Sequence, residues 1–282
     1  MTCHVTVRLA WSWDEAVTGR QLLLLVSPSQ VMRQVLKQLQ PHLDATCLLV
    51  SAAKGIENNS LQLMSEVLEE VLGAEVKTRC AFLSGPSFAK EVAAEQPTAV
   101  AVAADDLAVA HRIQEIFSTE YFRVYTNQDV VGVEIGGALK NVIALAAGVG
   151  DGLGFNHNAR AALITRGLVE IARLGMAKGG VESTFAGLAG MGDLVLTCTG
   201  DLSRNRTVGM ELGRGRKLDE ILNQMRMVAE GVKTTLSAYQ LANKLGVKMP
   251  ITEQMYQILY QDKDPKLAAI DLMRRALTSE DE

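Results

Sequence analysis

The chain has 282 residues, 48 % of them hydrophobic and 21 % charged, with a formal net charge of −4. This is the composition of a well-packed globule that can bury a sizeable core, as one large domain or two ordinary ones. It excludes bulk electrostatic attraction to nucleic acid or to an anionic membrane, while leaving room for a local basic patch that faces a small anion.

The first stretch, Met1–Trp11, lacks the long apolar core of a signal peptide. Val5–Leu9 reads as a strand and Ser12–Ala16 as a short helix. Gln21–Val26 is nearly all apolar, as a parallel strand buried on both faces would be. Its densest run, Leu22–Val26, falls far short of the ~20 residues of a membrane span. A cytoplasmic protein without a membrane span is the expectation. Pro28-Ser29 opens a helix to Leu39, with Val31, Val35, Leu36 and Leu39 on one side. Thr46–Ser51 is the next strand. Asn59-Ser60 caps a helix that runs to Leu72, where Gly73 stops it. Ala81–Leu83, Ala99–Ala103 and Arg123–Tyr125 are further strands, the last two separated by a helix over Leu107–Phe117. Strands alternating with helices predict βαβ units and a mainly parallel sheet.

From about Val130 the pattern contains helices only. The longest are Val131–Val149 and Ala159–Leu174. Shorter ones cover Val208–Leu212, Leu218–Met225, Thr234–Leu245, Glu253–Tyr260 and Pro265–Arg274. The predicted fold is a Rossmann-like α/β domain over residues 1–127, then an all-helical domain over residues 128–282. The four cysteines, Cys3, Cys47, Cys80 and Cys198, form no CxxC and no His/Cys cluster. They read as free thiols in a reducing compartment, and no metal site is expected.

An early strand running into G-x-G-x-x-G announces a dinucleotide-binding domain. No such motif occurs before residue 127. The clusters Gly148–Gly154 and Gly187–Gly192 lie in the helical half. They read first as tight turns and close helix contacts, and second as backbone that hugs a small ligand.

Polar stretches mark a candidate site. Lys54 follows the Thr46–Ser51 strand, and Ser84–Glu91 follows the next, where open α/β sheets place ligands. Each loop alone is more often a capped turn. Lys140-Asn141 interrupts an apolar helix. A snorkelling lysine is the bland reading, but Ala138, Leu139, Val142 and Ile143 imply burial, which lowers a lysine pKa toward neutrality. Asp193 follows the second glycine cluster, with Thr197 on the same face if Leu194–Cys198 is helical. Ser203-Arg204-Asn205-Arg206 at a helix start is either a solvated turn or a phosphate seat with guanidinium forks and free N–H groups.

In order, Ser51–Glu57, Ser84–Val92, Gly136–Ala144, Asn158–Arg166, Ala189–Thr199, Ser203–Arg206, Val228–Gly231 and Met249–Thr252 resemble the bacterial-type NAD(P)-dependent glycerol-3-phosphate dehydrogenase family. The resemblance runs from about Gln21 to Ala276. It implies NAD or NADP as cofactor and reduction of dihydroxyacetone phosphate to sn-glycerol 3-phosphate, which feeds glycerophospholipid synthesis. It implies Lys140 as catalytic proton donor and acceptor. Lys54, Gly85, Ser87, Asn141, Asp193, Thr197, Ser203, Arg204 and Asn205 are the implied substrate contacts. Lys54, Ala89, Arg204, Val228 and Glu230 are the implied cofactor contacts. The chemistry agrees: hydride addition builds negative charge on a ketone oxygen, which a cationic lysine stabilises and then protonates.

The chain departs from the family at its start. Roughly the first 60 family residues, with the pyrophosphate turn, have no counterpart. Exposed sheet edges, weakened cofactor binding and a plausible homodimer are therefore expected, and the choice of NAD or NADP is unreadable. The competing readings are an inactive homologue, a non-catalytic binding protein, or a dehydrogenase of the hydroxy-acid or sugar-acid type.

Overall fold

Four consecutive leucines form β1 (Leu22–Leu25), an edge strand of a five-stranded sheet. The computed structural model describes residues 8–225, 229–277 and 279–280. The strand expected over Val5–Leu9 lies for the most part outside them, and Val228 lies outside them as well. A short helix, α1 (Trp13–Val17), capped by the Ser12 hydroxyl, precedes β1. The order across the sheet is β1, β2 (Leu48–Ser51), β3 (Cys80–Ser84), β4 (Thr98–Ala103), β5 (Phe122–Asn127).

Three of the four pairings are parallel, and β3 with β4 is antiparallel. The expectation of a mainly parallel sheet holds with that exception. Its cause is the connection between the two strands. The only helix there, α4 (Ala89–Ala93), has five residues. It rises about 7.5 Å, less than half of the about 16 Å spanned by a five-residue strand. The chain therefore re-enters the sheet near the edge where β3 left it.

Successive strand residues face opposite sides. Leu49, Cys80, Phe82, Ala101 and Ala103 pack against α2 (Met32–Leu39) and α3 (Met64–Leu72). Val50, Ala81, Val100 and Val102 pack against α5 (Leu107–Phe117). β1 has no outer partner among the described residues, and Leu24 is 45 % exposed. The exposed edge expected from the sequence is thus present. Helix α3 starts four residues later than Asn59-Ser60 promised. Asn59 and Leu61 hold φ of 71° and 60°, a left-handed backbone that a helix cannot continue through. Gly73 ends α3 as expected, at φ 93°.

Because β4 and β5 run opposite to β1–β3, β5 ends at the sheet edge where β1–β3 begin. There α6 (Val130–Gly152) starts and climbs past β3. It is long and apolar enough to cross a membrane, yet 89 % of its apolar window is buried within the protein. Thus α6, and not the dense run Leu22–Val26 weighed from the sequence as a membrane span, is the stretch that has the length for one. Around α6 lie α7 (His157–Ala177), α8 (Glu182–Phe185), a π-helical turn at Leu188–Gly192, α9 (Asp193–Thr199), α10 (Arg204–Gly213), α11 (Leu218–Gln224), α12 (Glu230–Leu245), α13 (Pro250–Tyr260) and α14 (Pro265–Met273). No strand follows β5 among the described residues.

The glycine clusters serve packing. A Cβ on Gly148 would strike the Arg206 carbonyl oxygen, and one on Gly209 the Leu145 carbonyl oxygen. Backbone contact between α6 and α10 is possible only without those side chains, which fixes the start of α10 against the far half of α6. Cys47, Cys80 and Cys198 are buried free thiols.

Glu134, buried on α6, ties α3 to the core. Ser65 donates to it through its N–H at 3.0 Å and through its hydroxyl at 2.5 Å. Burial nevertheless pushes the Glu134 carboxyl up to about 8. A folded-state value above the ordinary 4.5 stabilises fully below that pH, and the contribution is lost as pH rises through about 8. Glu134→Gln cannot titrate. Wild type is therefore expected to lose melting temperature relative to Glu134→Gln across that window. Thermal denaturation at a series of pH values tests this, and a constant difference would clear Glu134 of the titration.

Candidate active site

Three elements bring two amines to one carboxylate. Lys54 lies on the loop leaving β2, Lys140 lies halfway along α6, and Asp193 opens α9 directly after the π-helical turn. Lys54 Nζ donates to Asp193 Oδ2 at 2.8 Å and lies 3.4 Å from the Gly85 carbonyl oxygen. Lys140 Nζ donates to Asp193 Oδ1. Asp193 is 1 % exposed and Lys140 7 %.

The electrostatics follow from this burial. Burial alone would raise the Asp193 carboxyl; the charges of Lys54 and Lys140 and their hydrogen bonds outweigh it and hold it below the usual carboxylate range. For Lys140 the balance goes the other way. Burial lowers its ammonium to about 7, the Lys54 charge pushes in the same direction, and Asp193 opposes both. The result is a lysine that exchanges a proton near neutrality, as its apolar neighbours implied.

Gly85 is buried behind Lys54 with φ 142°, and a Cβ there would come within 2.8 Å of Val100 Cα. The turn after β3 therefore needs glycine. Ser87 Oγ donates to the Gly85 carbonyl at 3.1 Å. Ala89 stands exposed as the first residue of α4. Thr197 is buried, and its hydroxyl donates back to the Asp193 carbonyl at 2.6 Å. It shares the helical face expected of it, but its hydrogen is already used.

A second group sits beside the first through Asn141. Asn205 Nδ2 donates to Asn141 Oδ1, and the Gly231 N–H donates to Asn205 Oδ1, each at 2.9 Å. This buried amide pair pins α10 and the start of α12 to α6. Ser203 Oγ caps α10 by accepting the Arg206 N–H at 3.2 Å. Arg204 is exposed at the first turn of that helix. Arg206 does not join it as a phosphate fork. Its guanidinium is held by Asp151 at 2.7 Å and Asp201 at 3.0 Å, because α10 turns that side chain toward the end of α6.

Sequence reading missed two features. Ser29 Oγ donates to Glu230 Oε2 at 3.0 Å, joining the loop after β1 to α12. Its position just past a strand end was the available signal. Asp151 also binds Arg160 at 2.5 Å, forming a cluster across 55 residues that no local pattern reveals. The hydroxyls of Ser51 and Ser84, at the ends of β2 and β3, and of Thr234 on α12 are buried without a partner among the described residues. Unspent polar groups around the Lys54 loop fit a polar ligand seated at the strand ends.

Two amines share a buried carboxylate outside the strand ends, with an exposed guanidinium at a nearby helix start, a group of the kind that can exchange a proton and face an anion. The comparisons agree on its class. Residues 1–110 match the N-terminus, and residues 129–269 the C-terminus, of NAD-dependent glycerol-3-phosphate dehydrogenase. The chain is 65 % identical over 275 residues to a glycerol-3-phosphate dehydrogenase (NAD(P)+) of Syntrophotalea carbinolica, covering 97 % of this chain and 83 % of that protein. The crystal structure of the glycerol-3-phosphate dehydrogenase of Coxiella burnetii superposes with a TM-score of 0.86 at 41 % identity, covering 90 % of this chain and 77 % of that one. That of Saccharomyces cerevisiae gives 0.79 at 30 % identity, covering 94 % and 78 %. The chain belongs to the NAD-dependent glycerol-3-phosphate dehydrogenase family. The match reaches residue 1, beyond the start at Gln21 that the motifs marked.

Proposed function

We propose that this chain interconverts dihydroxyacetone phosphate and sn-glycerol 3-phosphate, with NAD or NADP as the hydride carrier. The observation that carries the proposal is the pair Lys54 and Lys140 on one buried Asp193 at the strand ends. The nicotinamide supplies or accepts the hydride when bound. Lys54, Ala89, Arg204 and Glu230 would hold its end of the dinucleotide, together with Val228 outside the described residues.

The protein's own groups do the rest. Lys140 stabilises negative charge growing on the ketone oxygen and gives it a proton. Lys54 adds a second positive charge, and Asp193 keeps both amines aimed. Arg204 and the open first turn of α10 take the phosphate, with Gly85 and Ser87 along the path from it to Lys54. Asn141 and Asn205 hold the distance between phosphate seat and Lys140, which sets the carbonyl for attack. The intact lysine–aspartate group supports an active enzyme over an inactive or non-catalytic relative. The net charge of −4 gives no bulk attraction to nucleic acid, which fits a small-molecule substrate. The β1 edge, without an outer partner among the described residues, supports self-association as a homodimer.

The test is dihydroxyacetone phosphate-dependent oxidation of NADH and NADPH by the purified chain. Turnover is expected with that substrate and not with unphosphorylated dihydroxyacetone. Equal rates for the two would remove the phosphate seat from the proposal. Fluorescence titration with each reduced cofactor separates failed cofactor binding from failed chemistry.

Asp151 gives a sharper check. It anchors Arg206 and so the start of α10, without touching the lysines. Asp151→Asn is expected to raise KM for the phosphorylated substrate about tenfold and to change kcat less, as lost ground-state positioning does. Steady-state kinetics decide it, and an unchanged KM with a fallen kcat would place Asp151 elsewhere in the mechanism.

A further inference from the structure

Along the last turns of α6, from Ala146 onward, a cavity of about 510 Å³ opens between α6, α7, α13 and α14. That is within the roughly 300–1,000 Å³ of small-molecule sites. Val149, Leu163, Ile251, Met255, Ile258 and Leu272 supply aliphatic walls.

The charges around it are uneven. Arg166 and Arg173 lie seven residues apart on the α7 face that lines the cavity, and Arg275 follows α14. None of the three forms an ion pair among the described residues; Arg166 donates only to the Glu280 carbonyl, at 2.6 Å. Of the three lining carboxylates, Glu280 on the tail has no partner among the described residues and the other two are spent. Glu170 accepts the Ile251 N–H at 2.5 Å and the Thr252 N–H and hydroxyl at 3.1 Å, capping α13. Asp151 is held by Arg160 and Arg206. An aliphatic chamber whose rim carries three guanidinium groups unpaired among the described residues, against one free carboxylate, matches a molecule with a hydrocarbon tail and a negative head.

We propose that this cavity binds a long-chain fatty carboxylate, its tail among the aliphatic residues of α6, α13 and α14 and its head at Arg166 and Arg173. The site carries a consequence for catalysis. Asp151 and Arg160 line the same chamber, and Asp151 anchors Arg206 at the start of α10. An occupant therefore packs against the Asp151–Arg160 pair, and its effect on catalysis is read in KM for the phosphorylated substrate.

The experiment is calorimetric titration of the full chain with dodecanoate below its micelle concentration. Saturable binding at one site is expected, with little binding of the equally long dodecyltrimethylammonium. Ala162 is exposed on the cavity wall, so Ala162→Trp can fill the chamber without entering the core. It is expected to abolish binding with an unchanged circular dichroism spectrum. Arg166→Gln with Arg173→Gln is expected to weaken binding about tenfold or more, the equivalent of one lost charge contact. No saturable binding, equal binding of the cation, or full binding by Ala162→Trp each overturns the proposal. So does a wild-type dimer that Ala162→Trp splits while neither binds dodecanoate, since the cavity is then a seam between copies.

Discussion

Lys140→Met is expected to lower kcat for ketone reduction about 10³-fold, within the roughly 10²–10⁴-fold range of a positioned proton donor. Methionine keeps nearly the length and the apolar stem of lysine, so the buried channel through α6 stays filled and the loss reports chemistry. Substrate affinity is expected to fall less, because the phosphate is held from α10. Rapid-quench single turnover isolates the chemical step. A Lys140→Met enzyme with near-normal turnover in that experiment would move the proton donor to Lys54.

The same residue fixes the pH dependence. Burial first, then the Lys54 charge, lowers the Lys140 ammonium to about 7. Ketone reduction needs the protonated amine, so kcat/KM in that direction is expected to fall as pH rises through about 7. Alcohol oxidation needs the neutral amine and is expected to rise through the same point. Lys54→Met removes the neighbouring positive charge that helps to lower this value, so both profiles shift to higher pH. Profiles that shift to lower pH, or not at all, would show that Lys54 does not act on Lys140 electrostatically.

Much of this site was legible in the chain because its parts are local. Lys140 betrayed itself as one lysine in an apolar helix, and Asp193 as the first residue after a glycine turn. Gly85 and Lys54 sit just past strands that the leucine, valine and alanine runs reveal. The antiparallel β4 was not legible, since its direction depends on how far a five-residue α4 can carry the chain. The partners of Arg206 were not legible for a similar reason. Nothing near it in sequence announces Asp151, and only the close contact of α6 with α10 at Gly148 and Gly209 brings the two together. The delayed start of α3 came from left-handed residues at Asn59 and Leu61, a backbone that asparagine tolerates but leucine rarely takes. Pairings between distant helices, and not local propensity, are where the sequence fell silent.

Asp193→Asn tests the pivot of the whole arrangement. Asp193 is the carboxylate between two amines, and Lys140 is buried almost as deeply. Removing one member of a buried ion pair strands the other, which costs about 3–5 kcal/mol. The stranded group here can escape by shedding its proton. Lys140, already lowered by burial and by Lys54, is then neutral at pH 7 and no longer donates. Asp193→Asn is therefore expected to lose about as much kcat as Lys140→Met, and the double variant to lose little more, since the two act as one unit. The stability change has a direction in pH. The folded Asp193 value lies below its ordinary 3.8, so its contribution is present above that pH and is lost as pH falls through the folded value. Urea denaturation is expected to separate wild type from Asp193→Asn most clearly near neutrality, and the two curves should converge in acid. A gap that stays constant from acid to alkali would mean that Asp193 holds α9 in place by packing alone.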